Sequence, residues 1–258
     1  MNFKVGTVYG GRSRAASLVG RLTSVALACA VCLLLPCAGR AAETKAQPFI
    51  SGKFSALKAF KLLYGTTENG KLLRENIEVP GEIYDRLVCF FDEKGYSNVV
   101  YTKFFTQNAK SKVIVVFATS PIEYVPAHGS GQLVSVDIFA RDGDRWVLEK
   151  HLPYLTIAGQ FEKAPEYKWV QIGQNQFALV EDGGFWGQGI LCSYLSLRRL
   201  DGRKPVEILK IEEEVPLEEA HDFELSPVRS AEKFWDIVEK AQNVRYRYRN
   251  GRYVRVRK

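Results

Sequence analysis

The sequence predicts a mainly β protein of antiparallel, sandwich-like sheets, preceded by two short helices toward its N-terminal end. Three observations carry that reading. From Asn98 onward, runs rich in β-branched and aromatic residues recur. Five Asn-Gly or Asp-Gly pairs punctuate the chain, at Asn69-Gly70, Asp142-Gly143, Asp182-Gly183, Asp201-Gly202 and Asn250-Gly251, and such pairs are the strongest short signal for a hairpin. Helical spacing of apolar residues is clearest in two short stretches before Gly95. The five pairs lie 73, 40, 19 and 49 residues apart, which excludes a propeller or solenoid built on a fixed period.

Residues 1–41 read as an export signal. Lys4, Arg12, Arg14 and Arg21, with no acidic residue, precede a largely apolar run from Leu22 to Ala38, and small residues follow at Gly39, Ala41 and Ala42. The run is 17 residues long and is interrupted by Thr23, Ser24 and Pro36, short of the roughly 20 that a membrane-crossing helix needs. Cleavage after Ala41 would leave 42–258 as a single periplasmic or secreted domain, with an uncleaved membrane anchor as the alternative. No Arg-Arg pair precedes the run, which favours the general secretory route. Pro36 before Cys37 fits poorly with lipidation.

Charge and cysteine content change with that cut. Residues 1–42 hold five of the 36 Lys plus Arg and none of the 29 Asp plus Glu, so the remainder carries 31 basic against 29 acidic side chains, a net +2. The basic isoelectric point is largely a property of the leader, and nucleic acid is not an implied partner. Cys29, Cys32 and Cys37 leave with it. Cys89 and Cys192 stay, and two cysteines in an oxidising compartment predict one disulfide, with two unpaired thiols as the alternative. Such a bridge would close a loop of about 100 residues, worth roughly 4–5 kcal/mol on chain entropy.

Within 42–258, Ser55 to Tyr64 has the pattern of an amphipathic helix, with Ser55 as N-cap and Gly65 as its stop. A second helix is expected from Glu82 to Lys94, entered through Pro80-Gly81 and ended by a left-handed Gly95; it puts Cys89 opposite Ile83, Leu87, Phe90 and Phe91. Val99–Thr106 and Val113–Thr119 form a hairpin about the polar turn Asn108–Lys112. At Asp142-Gly143, a three-residue loop of Arg141, Asp142 and Gly143 pairs Ile138 with Trp146 and Val136 with Leu148, keeping four apolar side chains on one face. Lys168–Ile172 with Gln176–Glu181 is a further pair, and Ile190–Arg199 a further strand. Phe234 to Lys240 fits a helix through Phe234, Val238 and Ala241 or a strand through Trp235 and Ile237; strand is preferred because it leads into the last hairpin. There, a loop of Arg249, Asn250 and Gly251 pairs Tyr246 with Val254 and Val244 with Val256. The opposite face then carries Arg245, Arg247, Arg255 and Arg257, with Arg245 across from Arg255, a repulsion that calls for an acidic neighbour.

Candidate sites are few. The stretch Gly183 to Gly189 presents Phe185 and Trp186 on what reads as a flexible loop, suited to stacking on a sugar or peptide; a turn whose Trp186 folds onto the core is the plainer alternative. A strand follows it, so a phosphate cradle, which needs a helix N-terminus, is disfavoured. His128 beside Ser130 lacks the glycine a nucleophile elbow requires two residues before the serine. His221 with Glu218, Asp222 and Glu224 has metal-ligand types but lies in an acidic, solvated-looking stretch. His151 has no partner in sequence. No cofactor motif is present. Glu212 to Glu224 holds seven carboxylates, and Asn243 to Lys258 holds seven Lys or Arg and no acid. The two segments either neutralise one another or leave the arginine face free for anionic lipid headgroups or cell-wall polymer.

Trp235, Asp236, Ile237 and Val238, then Tyr246, Asn250, Gly251 and Tyr253, together with the Asp142 to Trp146 turn and the Gly183 to Gly189 stretch, give the chain a resemblance over roughly its last 150 residues. It resembles uncharacterised secreted bacterial β-rich proteins that end in a Tyr/Asn-Gly/Tyr hairpin. The resemblance implies a β-rich exported fold and brings no activity. Such proteins often carry a Cys-His pair before the strand that here begins at Leu133, where this chain has His128, Gly129, Ser130 and Gly131.

The expected function is that of a non-catalytic binding or interaction module of the cell envelope, taking a glycan, an anionic lipid surface or an envelope protein through Phe185, Trp186 and the arginine face. The alternative is an envelope hydrolase with a site near His128 and His221.

Overall fold

Hairpin follows hairpin through three antiparallel sheets in the computed structural model, which describes residues 47–81, 93–122, 131–159, 163–187, 190–216 and 223–256. The first sheet contains β1 (Phe49–Ser51), β2 (Gly65–Glu68), β3 (Lys71–Arg74), β4 (Gly95–Gln107), β5 (Lys110–Pro121), β6 (Gln132–Asp142) and β7 (Arg145–Ala158), in the order β1-β7-β6-β5-β4-β3-β2. It is a curled, half-barrel sheet. The second holds β8 (Glu166–Gly173), β9 (Gln176–Gly187), β10 (Ile190–Arg199) and β11 (Val206–Pro216), and the third β12 (Leu225–Val228), β13 (Asp236–Glu239), β14 (Val244–Arg249) and β15 (Arg252–Arg255), each in sequential order. Ala46–Lys258 forms one compact unit. The mainly antiparallel β class read from the sequence is the class observed, and Phe234–Lys240 contains the strand β13.

Among the described residues there is one helix, α1 (Ala56–Leu63), and no helix is long and apolar enough to cross a membrane. Ser55 stands at its N-cap in extended backbone but makes no side-chain cap bond. Eight residues do not hold a helix in water unaided. Packing does so here: Ala59 and Phe60 are fully buried, and the Phe60 ring lies 5.5 Å from that of Phe117 on β5. The expected second helix, Glu82 to Lys94, falls mostly outside the described residues. Gly95 is not a left-handed helix stop. It opens β4, where an added Cβ would lie 2.6 Å from the Ser120 carbonyl oxygen, too close for any other residue.

Three apolar layers follow from the strand faces. Phe54, Phe60, Phe117, Phe139 and Trp146 bring α1 and β1 onto one face of the first sheet. Ile114, Val116, Val134, Val136 and Ile138 on its other face meet Tyr167, Leu179 and Leu200 of the second sheet and its flank. Ile172, Leu195, Leu197, Ile237 and Tyr253 join the second sheet to the third. Strands β5 and β6 are therefore buried on both faces.

That two-sided burial corrects the predicted register at Asp142. The observed loop is two residues, Gly143 and Asp144, with Asp142 opposite Arg145, Arg141 opposite Trp146 and Phe139 opposite Leu148. Gly143 alone in the turn has positive φ, +58°, as a glycine-led hairpin turn requires. A register shift between Ile138 and Phe139 then places Ile138 opposite Lys150 and Val136 opposite Leu152. When both faces are apolar, keeping apolar residues together does not select a register.

The C-terminal register is corrected likewise. Asn250 and Gly251 form a two-residue turn with φ of 50° and 89°, the pattern of a type I′ hairpin, so that Tyr248 faces Tyr253, Arg247 faces Val254 and Tyr246 faces Arg255. Aromatic packing fixes it. Phe234 stacks on Tyr248 at 3.9 Å, and the Tyr253 hydroxyl donates to the Trp235 carbonyl at 2.8 Å. Among the described arginines of the expected face, Arg255 stands opposite Tyr246 rather than Arg245, so Arg245, Arg247 and Arg255 do not line up on one face of the hairpin.

Candidate functional site

The most unusual chemistry lies where α1 and the β2–β3 hairpin cover one face of β6. Strand β6 reads Leu133, Val134, Ser135, Val136, Asp137, Ile138, Phe139, and its odd positions put Ser135 and Asp137 on the same face as Phe139. Asp137 is completely buried. One carboxylate oxygen accepts from the Tyr64 hydroxyl at 2.7 Å. The other meets His151 Nδ1 at 2.7 Å, because the register sets Asp137 opposite His151 on β7. Tyr64 arrives as the C-cap of α1.

Arg74, the last residue of β3, completes the group. It is only 3% exposed. Nη1 donates to Ser135 Oγ at 2.6 Å and Nη2 to the Pro153 carbonyl at 2.9 Å. The guanidinium lies 4.7 Å from the Tyr64 ring centroid and 5.0 Å from that of Tyr154, a stacking that suits its weakly hydrated plane. Ser135 in turn donates to the same Pro153 carbonyl at 2.7 Å.

Electrostatics follow from the burial. Loss of water pushes the Asp137 carboxyl above its usual range, against the hydrogen bonds from His151 and Tyr64 and the charge of Arg74. Burial, and then the adjacent Asp137 carboxylate, hold the Tyr64 phenol well above its ordinary value, so it remains a donor. Burial also lowers Arg74. With Asp137 accepting at Nδ1, that nitrogen is assigned the proton and Nε2 is the free ring nitrogen. The His151 side chain is 35% exposed and, with Arg74, Asn76, Pro153 and Tyr154, borders a groove of about 420 Å³. Glu75 borders the same groove, so its rim presents one guanidinium, one imidazole edge and one carboxylate.

The residues singled out in the sequence are placed as follows. Phe185 and Trp186 are not on a loop: Gly183 to Gly187 belongs to β9, with Phe185 opposite Cys192 and Trp186 opposite Leu191. For 185–187 only the backbone is described. Asp182-Gly183 is accordingly strand, not turn. Arg245 and Arg247 share Asp236, with Nε of Arg245 at 2.8 Å and Nη2 of Arg247 at 3.0 Å, and the hydrogen bond from Arg247 leads in holding that carboxyl below its usual range. Arg245 and Arg255 border a groove of about 770 Å³ with Val238, Val244 and Val256. Arg257 lies outside the described residues, as do His128, His221 and Cys89; Cys192 carries a free thiol. No cluster of three or more metal-ligand side chains occurs among the described residues.

Sequence alone marks neither Arg74 nor Asp137 as a site residue, gives Tyr64 only as a helix end, and shows no partner for His151. The signal lies in β6, where Ser135 and Asp137 interrupt the apolar run from Leu133 to Phe139. Comparison with profiles of known protein families, with curated proteins and with solved structures returns no match. Fold and site thus define the chain only as an antiparallel β protein with a buried Tyr-Asp-His-Arg cluster beneath a groove.

Proposed function

We propose that this chain is an exported, non-catalytic binding module of the cell envelope, and that the groove over Arg74 and His151 receives an acidic group of an envelope glycan. The leading apolar segment supports export. The observation that carries the binding reading is Arg74. A guanidinium is always charged and has five donors; among the described residues, two hydrogen bonds from this one go to the neutral oxygens of Ser135 and Pro153. Holding a cation out of water without direct ion pairing costs stability, and clusters bearing such a cost concentrate at functional sites. An entering carboxylate would meet the Arg74 guanidinium where it borders the groove, with His151 beside it.

The Asp137–His151 pair favours one second reading, an envelope hydrolase with His151 as general base. Against it, the Ser135 hydroxyl is committed to the Pro153 carbonyl and is not a nucleophile for that base. Calorimetric titration with trigalacturonate tests the binding reading. Wild type should bind saturably, more weakly at high salt, and Arg74→Gln and His151→Ala should each weaken binding about tenfold. Equal affinity in all three proteins would refute it, and turnover of the sugar abolished by His151→Ala would favour the hydrolase.

A further inference from the structure

We propose a second site, distinct from that groove: the cleft between the first and second sheets binds a neutral saccharide. The cleft holds about 410 Å³, within the range of small-ligand sites of roughly 300–1,000 Å³. It is strapped open at both ends. Gln107 Nε2 at the end of β4 donates to the Asn175 carbonyl in the β8–β9 turn at 2.9 Å, and Lys150 Nζ on β7 donates to the Gly202 carbonyl after β10. A cleft fixed in this way loses little freedom when a ligand enters.

Its lining has the two components that a sugar ring needs. One wall is aromatic: Trp169 and Phe177 border the cleft, their rings stacked on one another with planes parallel to within 5° at 5.8 Å, and Phe105 packs tilted against both at 5.3 and 5.2 Å. The C–H face of a pyranose stacks on such a surface. The second component is side-chain amide, Asn108 and Gln176, which also border the cleft and offer both donors and acceptors to hydroxyls.

Charge argues for a neutral guest. Lys112, only 5% exposed, is answered by Glu149 at 2.5 Å and by Gln107 Oε1 at 3.1 Å. Asp201 is held by Arg199. Arg203 lies exposed at the rim. Lys112 and Asp201 are thus compensated within the cleft, and the Lys150 ammonium is engaged by the Gly202 and Arg203 carbonyls.

Titration with maltotriose and with triacetylchitotriose, followed by calorimetry and by tryptophan fluorescence, tests the proposal. At least one should bind saturably below about 10 mM, and Phe177→Ala and Gln176→Ala should each weaken it roughly five- to tenfold, as expected for one lost stacking or amide contact. Arg74→Gln should leave it unchanged, which separates this site from the groove at His151. No saturable binding of either sugar, or binding undiminished in Gln176→Ala, overturns the proposal; if Phe177→Ala does not fold, Gln176→Ala decides alone.

Discussion

Two arginine–aspartate arrangements in this chain use the same groups to opposite effect. At the third sheet, Asp236 takes direct hydrogen bonds from Arg245 and Arg247, whose side chains are about half exposed, and its carboxyl is held low, first by the hydrogen bond from Arg247. Under α1, Arg74 and Asp137 are both out of water, with hydrogen bonds to neutral groups and to His151 between them, and the Asp137 carboxyl is held high by burial. Direct contact from half-exposed arginines is self-sufficient and open to screening by solvent. Indirect pairing in the interior costs more, which is why the interior pair is the better candidate for a ligand.

The largest expected break in that contrast is Arg74→Met, which removes the cation facing the buried Asp137 and the donor to Ser135 and Pro153, and should lower unfolding free energy by about 3–5 kcal/mol in urea titration. Asp137→Asn comes next, with a loss of about 1–3 kcal/mol as Tyr64 and His151 lose a charged acceptor. Asp236→Asn should cost only about 1 kcal/mol and lose most of that effect in 1 M salt, because its partners are solvent-exposed and screened. Arg245→Ala should fall within about 0.5 kcal/mol of wild type.

Acid separates the two carboxylates by sign. The folded-state pKa of Asp137 lies above its unfolded value, so its protonation favours the folded form. As pH falls through that raised value toward about 4, wild type should gain stability relative to Asp137→Asn. Asp236 is depressed when folded, so its contribution is complete above about pH 4 and is lost as pH falls through its folded value. Denaturant midpoints of wild type and the two Asn variants from pH 7 to pH 3 check both directions.

Much of the fold is legible in the sequence because turn chemistry is local. Asn69-Gly70 and Asn250-Gly251 each close a two-residue hairpin in left-handed backbone. Register and site are less legible for reasons visible in particular residues. Strand β6 carries Leu133 and Phe139 on the same face as Ser135 and Asp137, with Val134, Val136 and Ile138 on the other, and its bulges against β7 shift the register, so alternation does not select its partner there. Tyr64 and Arg74 reach Asp137 and Ser135 across 73 and 61 residues of chain, a proximity that only the strand order creates. The C-terminal arginines do not line up as alternation predicts because Tyr248 and Tyr253, packed with Phe234, rather than the valines, decide the last hairpin.

The most direct measurement is the ring ¹⁵N spectrum of the three histidines during titration with trigalacturonate. Binding at the Arg74 groove predicts a saturable shift at His151 Nε2, with Nδ1 keeping its proton toward Asp137, and no such shift in Arg74→Gln. A His151 resonance unmoved at saturating sugar, or moved equally in Arg74→Gln, would contradict it.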